Sequence, residues 1–351
     1  MPEGAFLLDT LSVIEVSGAV ASARPGSKGG LMFEAMLHSV SNVLVLVIIA
    51  ALGFRIAQTA NVDERGRQLV SRIVNLAIPF FLFYSVTSKF SQEQLIELLK
   101  MAFLPFAVVG ASFLISCLLV RFGMVRRELT GAFLACFTSS TVLFVGVPVA
   151  VALFGEVAIP YLLVYFFANC IFIWTVGLYN MQLDGVRRNG GEAPRLLSAY
   201  SLKIFLSPPL QGFLIGLAFV LLALPIPEFV TTTTKMFGQM VTPLAIIFIG
   251  MTIQKVGFDR LRHVQREVWL VLLSCFVLRP LLMYLFSLPF EMEPIMRKVF
   301  VVAAALPVTP VMAVLAKRYG ADEEYASETV SVSVIGLMFA IPVLLVVINV
   351  I

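Results

Sequence analysis

Apolar residues in this chain gather into ten long stretches separated by short polar connections, and each is close to the roughly 20 residues an α-helix needs to cross a bilayer. The stretches are 37–57, 69–87, 101–122, 130–154, 159–179, 202–224, 230–253, 268–289, 298–316 and 326–351. The pattern predicts an all-α membrane protein of ten transmembrane helices. Composition agrees, since 60% of the 351 residues are hydrophobic and 13% charged, against about 25% charged in a soluble domain.

Two stretches are broken by proline at corresponding places. One break falls around Gly146, Val147 and Pro148, the other around Pro307, Val308, Thr309 and Pro310. A proline inside a helix frees carbonyls that no water can satisfy in a bilayer, so such breaks persist only where protein or a cavity receives them. Paired breaks in two halves of a membrane chain point to a transporter's binding site.

The longest polar connection between stretches, containing Arg187 and Arg188, divides five from five. Because five is odd, the second half must enter the membrane in the opposite sense. The expected organisation is a flexible tail at 1–36, a first five-helix repeat at 37–181, a linker at 182–200 and a second, inverted repeat at 201–351. Landmarks support it: Pro79 and Pro243 stand 164 residues apart, Asn169 and Ser333 also 164, and Pro148 and Pro310 are offset by 162.

Charge adds orientation. The net charge of +4 is small, but 17 of the 25 lysines and arginines fall in the connections after stretches one, three, five, seven and nine, and seven lie on the opposite side. The positive-inside rule makes the 17-residue side cytoplasmic and puts both termini outside the cell membrane. The four cysteines fall within apolar stretches and suggest no disulfide framework. The first 31 residues do not read as a cleaved signal peptide, and Met32 is a candidate translation start.

The remaining cation, Arg279, is the twelfth of 23 largely apolar residues. A charge at that depth costs about 2.5 to 3.5 kcal/mol and requires a partner. No Asp or Glu lies at similar depth, so the partner is either a row of carbonyls freed at a broken helix or the carboxylate of a substrate. Small polar residues collect nearby: Thr138 to Thr141 before the first break, Thr309 in the second, and Asn169 and Ser333 at matched positions. Each half-helix beginning at midmembrane would present backbone N–H groups and about half a positive charge to an anion. The candidate substrate-binding residues are therefore Thr141, Gly146, Pro148, Asn169, Arg279, Pro307, Thr309, Pro310 and Ser333.

Histidines occur only at His38 and His263, no phosphate-binding glycine loop is present, and no buried carboxylate pair or activated nucleophile is visible. Enzymatic activity, a cofactor, a metal centre and a nucleic-acid partner are not expected. The partners expected are a small organic anion and the lipid bilayer.

With these residues in view, the chain resembles the auxin efflux carrier family, in particular its bacterial members. The likeness is carried by Val145-Gly146-Val147-Pro148-Val149, by 243–251 beginning Pro243-Leu244-Ala245, by Leu278-Arg279-Pro280, and by Ala305-Leu306-Pro307 followed by Ala316 and Tyr319-Gly320. It implies a fold similar to bile-acid and sodium/proton transporters, with helices four and nine crossing at their breaks. It also implies a scaffold and homodimer surface on spans one, two, six and seven, and organic-anion substrates. One departure is Thr141, where the family usually has asparagine. The function expected is a secondary carrier of a small carboxylate by alternating access. Alternatives are a sodium-coupled symporter, with an oxygen cage from Thr138 to Thr141, and a gated pore or receptor.

Overall fold

The computed structural model describes residues 44–45, 47–59, 62, 64–89, 91–190, 208–256 and 264–350, all within one unit, Asn42–Ile351. The expected N-terminal tail, the start of the sixth stretch and most of the linker lie outside the described residues. The described residues are helical and contain no strand.

The helices are α1 (Val47–Thr59), α2 (Glu64–Lys89), α3 (Gln92–Lys100), α4 (Phe103–Arg121), α5 (Thr130–Thr138), α6 (Val147–Phe154), α7 (Ile159–Phe172) and α8 (Leu178–Asn189). They continue as α9 (Pro208–Leu221), α10 (Glu228–Val256), α11 (Arg266–Leu273), α12 (Arg279–Ser287), α13 (Pro294–Ala304), α14 (Val311–Tyr319) and α15 (Glu323–Val350). Single wide π turns join α7 to α8 and α11 to α12, so each pair runs as one long helix.

Seven helical runs are long and apolar enough to cross a membrane. Val47–Thr59 and Gln211–Leu221 are apolar but shorter, and α13 and α14 are each shortened by the gap between them. The apolar stretches therefore give helices where expected, while their lengths reflect local chemistry. The fifth apolar stretch ends near Tyr179, yet α8 continues as helix to Asn189, where Gly190 ends it at a φ of 74°.

Helix α2 packs against α9 and α10. Pro79 lies inside α2 and Pro243 inside α10. Gly212 of α9 rests on the Pro79 turn so closely that a Cβ would come within 2.3 Å of the Pro79 carbonyl oxygen. Only glycine permits that approach. A second group of helices, α4 to α8 and α11 to α15, holds most of the buried apolar core.

Helix α5 begins without a side-chain cap of its own. Asp184 of α8 supplies one from across the interface, its Oδ2 accepting the Ala132 N–H at 2.9 Å while the side chain is buried. A carboxylate at a helix N-terminus satisfies an orphan donor and faces the favourable end of the dipole. Asp184→Ala should lower stability by about 1 to 2 kcal/mol, and Asp184→Asn, which keeps an acceptor, by less. Thermal unfolding in detergent measures both; equal losses would contradict a capping role.

Candidate functional site

The first break lies upstream of its proline. The backbone leaves α5 after Thr138, runs extended at Ser139 (φ −78°, ψ 150°), and re-enters helix through a π turn, Val142–Gly146, before α6. The sequence expectation centred the break on Gly146 to Pro148, but the non-helical residues are Ser139 to Thr141. The reason lies in the proline ring, which cannot donate to the carbonyl four residues back and would clash with it in a regular α-helix. The chain widens instead, with Gly146 N–H donating to the Thr141 carbonyl at 3.2 Å. Pro148 then occupies the first turn of α6, where its missing N–H is harmless.

The second break falls where the sequence places it. Helix α13 ends at Ala304, residues 306–309 have no regular structure, and α14 starts at Val311 directly after Pro310. Pro307 and Pro310 contribute no donors, so the gap presents carbonyls on the α13 side and amides on the α14 side.

The two breaks touch. Thr141 N–H donates to the Pro307 carbonyl at 2.8 Å. Gly146 lies against Leu306, and a Cβ at Gly146 would meet Leu306 Cδ1 at 2.5 Å. Thr141, Gly146, Pro148, Pro307 and Thr309 are all buried there, and Pro310 is exposed.

Side chains from neighbouring helices answer several of the freed backbone groups. Ser274 Oγ donates to the Phe137 carbonyl at 2.8 Å. Arg279, 1% exposed, directs one terminal nitrogen to the carbonyls of Thr138 (3.3 Å) and Ser139 (2.7 Å) and to Ser140 Oγ (2.7 Å). Its other terminal nitrogen reaches the Leu306 carbonyl at 2.6 Å, so one guanidinium fastens both breaks. Asn169 accepts the Ser140 N–H at 2.9 Å and donates to the Ser140 carbonyl at 2.6 Å. Ser333 does the matching work on the other side, accepting the Val308 N–H at 3.1 Å and donating to Val330 of its own helix at 2.8 Å. The sequence left two partners open for Arg279; in this structure the side chain bonds to freed carbonyls and to the Ser140 hydroxyl.

Arg279 is aimed by its own sequence. Pro280, in the first turn of α12, disrupts the helix behind it, and the chain responds with the π turn Ser274–Leu278. That extra residue per turn puts Ser274 and Arg279 on the same break.

The result is an electrical division. The carbonyl ends of α5 and α13, each carrying about half a negative charge, converge on Arg279. The first half-helix begins at Val142, which is buried, while the amide end of α14 faces a cavity along the seam between α2 and α10 on one side and the broken segments on the other. Near α14, a cavity of about 320 Å³ is lined by Thr309, Pro310 and Val311 together with Ser71, Asn75 and Arg318. Phe144 and Phe248, with ring centroids 6.0 Å apart, form part of its wall. At the other end of the seam a cavity of about 170 Å³ takes Tyr84, Glu156, Lys235 and Gln239. Near α6, the Pro148 turn borders two further cavities, one lined by apolar residues alone and one that adds Thr242.

All nine candidate residues thus lie in or beside the crossing. Sequence reasoning missed Ser274, Asn75 and Ser71, and read Arg318 only as a flanking cation. The available signals were Ser274 five residues before Arg279, and Asn75 at the 164-residue offset from Gln239. Among the described residues no cluster of His, Cys, Asp or Glu could hold a metal.

Comparison with known proteins adds three findings. Residues 38–345 match the family described as "Membrane transport protein". An "Uncharacterized transporter" of Methanothermobacter thermautotrophicus is 24% identical over 316 residues, covering 89% of this chain and 98% of that protein. A "Putative malonate transporter" of Rhizobium meliloti is 26% identical over 268 residues, covering 74% of this chain and 80% of that one.

Asn169→Ala leaves a buried donor and a buried acceptor of Ser140 unpaired, while Ser333→Ala orphans only the Val308 N–H of its break. The expected losses are about 2 kcal/mol or more and about 1 kcal/mol respectively. Unfolding in detergent gives the order; a larger loss for Ser333→Ala would contradict these assignments.

Proposed function

We propose, from the premise that this chain belongs to the membrane transport protein family of auxin efflux carriers, that it is a secondary carrier of a small organic anion, a carboxylate, working by alternating access. The observation that carries this reading is the hydrogen-bonded meeting of two helix breaks, Thr141 to Pro307, beside a cavity at the α14 amide end that admits Ser71, Asn75, Thr309 and Arg318. A carboxylate in that cavity would meet the α14 dipole, the Thr309 hydroxyl and the Asn75 amide, with Arg318 nearer the mouth. Arg279 would act from behind the backbone, cancelling the carbonyl ends of α5 and α13 so that the amide ends dominate the field at the anion. Thr141, Asn169 and Ser333 would hold the crossing in shape around it. Malonate, named for the Rhizobium meliloti relative, is the first substrate to try.

The same reading includes the layout. We take the shorter helices α1 and α9, and the pair α13 and α14, to complete ten spans as two inverted five-helix repeats. In support, the cavities at the two ends of the seam exchange members at the repeat offset: Ser71 with Lys235, Asn75 with Gln239 and Tyr84 with Phe248 are 164 apart, and Glu156 with Arg318 is 162 apart. They would serve as inner and outer vestibules of one site. The arginine-rich end would face the cytoplasm and both termini the outside. Spans one, two, six and seven would form the static scaffold and a homodimer surface, against which the remaining helices slide.

Proteoliposomes loaded with unlabelled carboxylate test the mechanism. Uptake of labelled malonate, or of whichever mono- or dicarboxylate is accepted, should accelerate several-fold when the same anion waits inside; indifference to the interior anion would indicate a gated pore. Asn75→Leu and Thr309→Val should each weaken uptake about tenfold, the cost of one hydrogen bond to a charged group, without loss of folded protein. Unchanged uptake in both would move the anion away from this cavity.

A further inference from the structure

The surroundings of Arg279 are unusual for an arginine. Its partners are carbonyl oxygens of Thr138, Ser139 and Leu306 and the hydroxyl of Ser140, at 2.6 to 3.3 Å, and among the described residues it forms no ion pair with a carboxylate. Neutral oxygens from unwound backbone and hydroxyls are the donor set that hard metal cations take in proteins. The cage also holds more polar groups than the guanidinium satisfies. Arg279 Nε and the hydroxyls of Thr138 and Ser139 are buried and lack a hydrogen-bond partner among the described residues.

We propose that Arg279 is a tethered cation, filling at the crossing the place that a bound coupling ion would otherwise fill, so that the crossing excludes sodium and the site becomes a receptor for small monovalent cations only when the side chain is removed. The cage gathers the negative ends of two half-helices, about one elementary charge in sum, and one guanidinium balances it. A second monovalent cation within about 4 Å of that guanidinium would be disfavoured about a thousandfold at an effective dielectric constant of about 20. Within the polar run Thr138 to Thr141, which could have formed a sodium cage, the Thr138 and Ser139 carbonyls and the Ser140 hydroxyl are thereby already turned to a cation. The bearing on transport is that movement of the anion does not require a sodium gradient. That consequence rests on the carrier reading; the binding claim rests on side-chain geometry alone.

The test therefore reads binding rather than transport. The purified full chain in detergent is unfolded thermally in sodium chloride and in N-methylglucamine chloride at equal ionic strength. The wild-type unfolding temperature should be the same in both, whereas Arg279→Ala should unfold several degrees lower in N-methylglucamine. About 10 mM guanidinium chloride, too dilute to denature, should restore at least half of that loss, and sodium should restore part of it. Saturable stabilisation of the wild type by sodium would overturn the proposal, and so would a folded Arg279→Ala that guanidinium does not restore. Should Arg279→Ala fail to fold, the wild-type comparison and the pair Arg279→Lys and Arg279→Met decide. The lysine must stay closer to wild type than the uncharged methionine, and equality of the two would overturn the proposal. A chain that proved unable to move carboxylates would leave these binding results standing, so the two failures are separable.

Discussion

A backbone carbonyl inside lipid must have a donor, because no water is there to supply one and leaving it bare costs several kcal/mol. Most of this chain meets that demand by staying helical. At 139–141 and 306–310 it does not, and the protein around those two gaps is organised by the need to supply partners from elsewhere. Ser274, Arg279, Asn169 and Ser333 come from three separate helical runs, and each bonds to the backbone of one or both gaps or of the turn leading into them. The breaks also serve each other, through Thr141 and Pro307. Removing any one partner would leave a buried polar group alone, which explains why polar residues in an otherwise apolar interior converge on so small a volume.

Meeting that demand has an electrical by-product. Donors were needed at the carbonyl ends, so a cation is drawn there, and the amide end of α14 is left facing a cavity. A membrane protein that had no use for an anion could have lined that space with apolar side chains alone, as around the cavity beside Val145 and Pro148. Near α14 it instead exposes Ser71, Asn75, Thr309 and Arg318 to one space. The fold, the clamp and the proposed cargo are linked in this way by a single physical requirement.

Much of this was legible in the sequence because hydropathy and proline act locally. Apolar runs of about twenty residues give helices whatever surrounds them, and the Pro310 break fell where the prolines stood. The first break was displaced because a π turn let the chain absorb Pro148, moving the gap to the serines and threonine upstream; such a turn leaves no mark in hydropathy. Arg279 was recognisable as needing a partner, but its choice between carbonyl and substrate depended on distances across 139 to 141 residues of chain. Asn75 and Ser71 went unremarked for a related reason. A single polar residue on a helix acquires meaning only when a cavity opens beside it, and that cavity is assembled from five separate parts of the chain.

The most direct measurement is an experimental structure of the protein in lipid with a bound dicarboxylate, at a resolution that shows side chains. The account predicts the anion in the cavity beside Thr309 and the first turn of α14, with Arg279 still bonded to the carbonyls of Ser139 and Leu306. An anion paired directly with the guanidinium, those carbonyl bonds released, would contradict it.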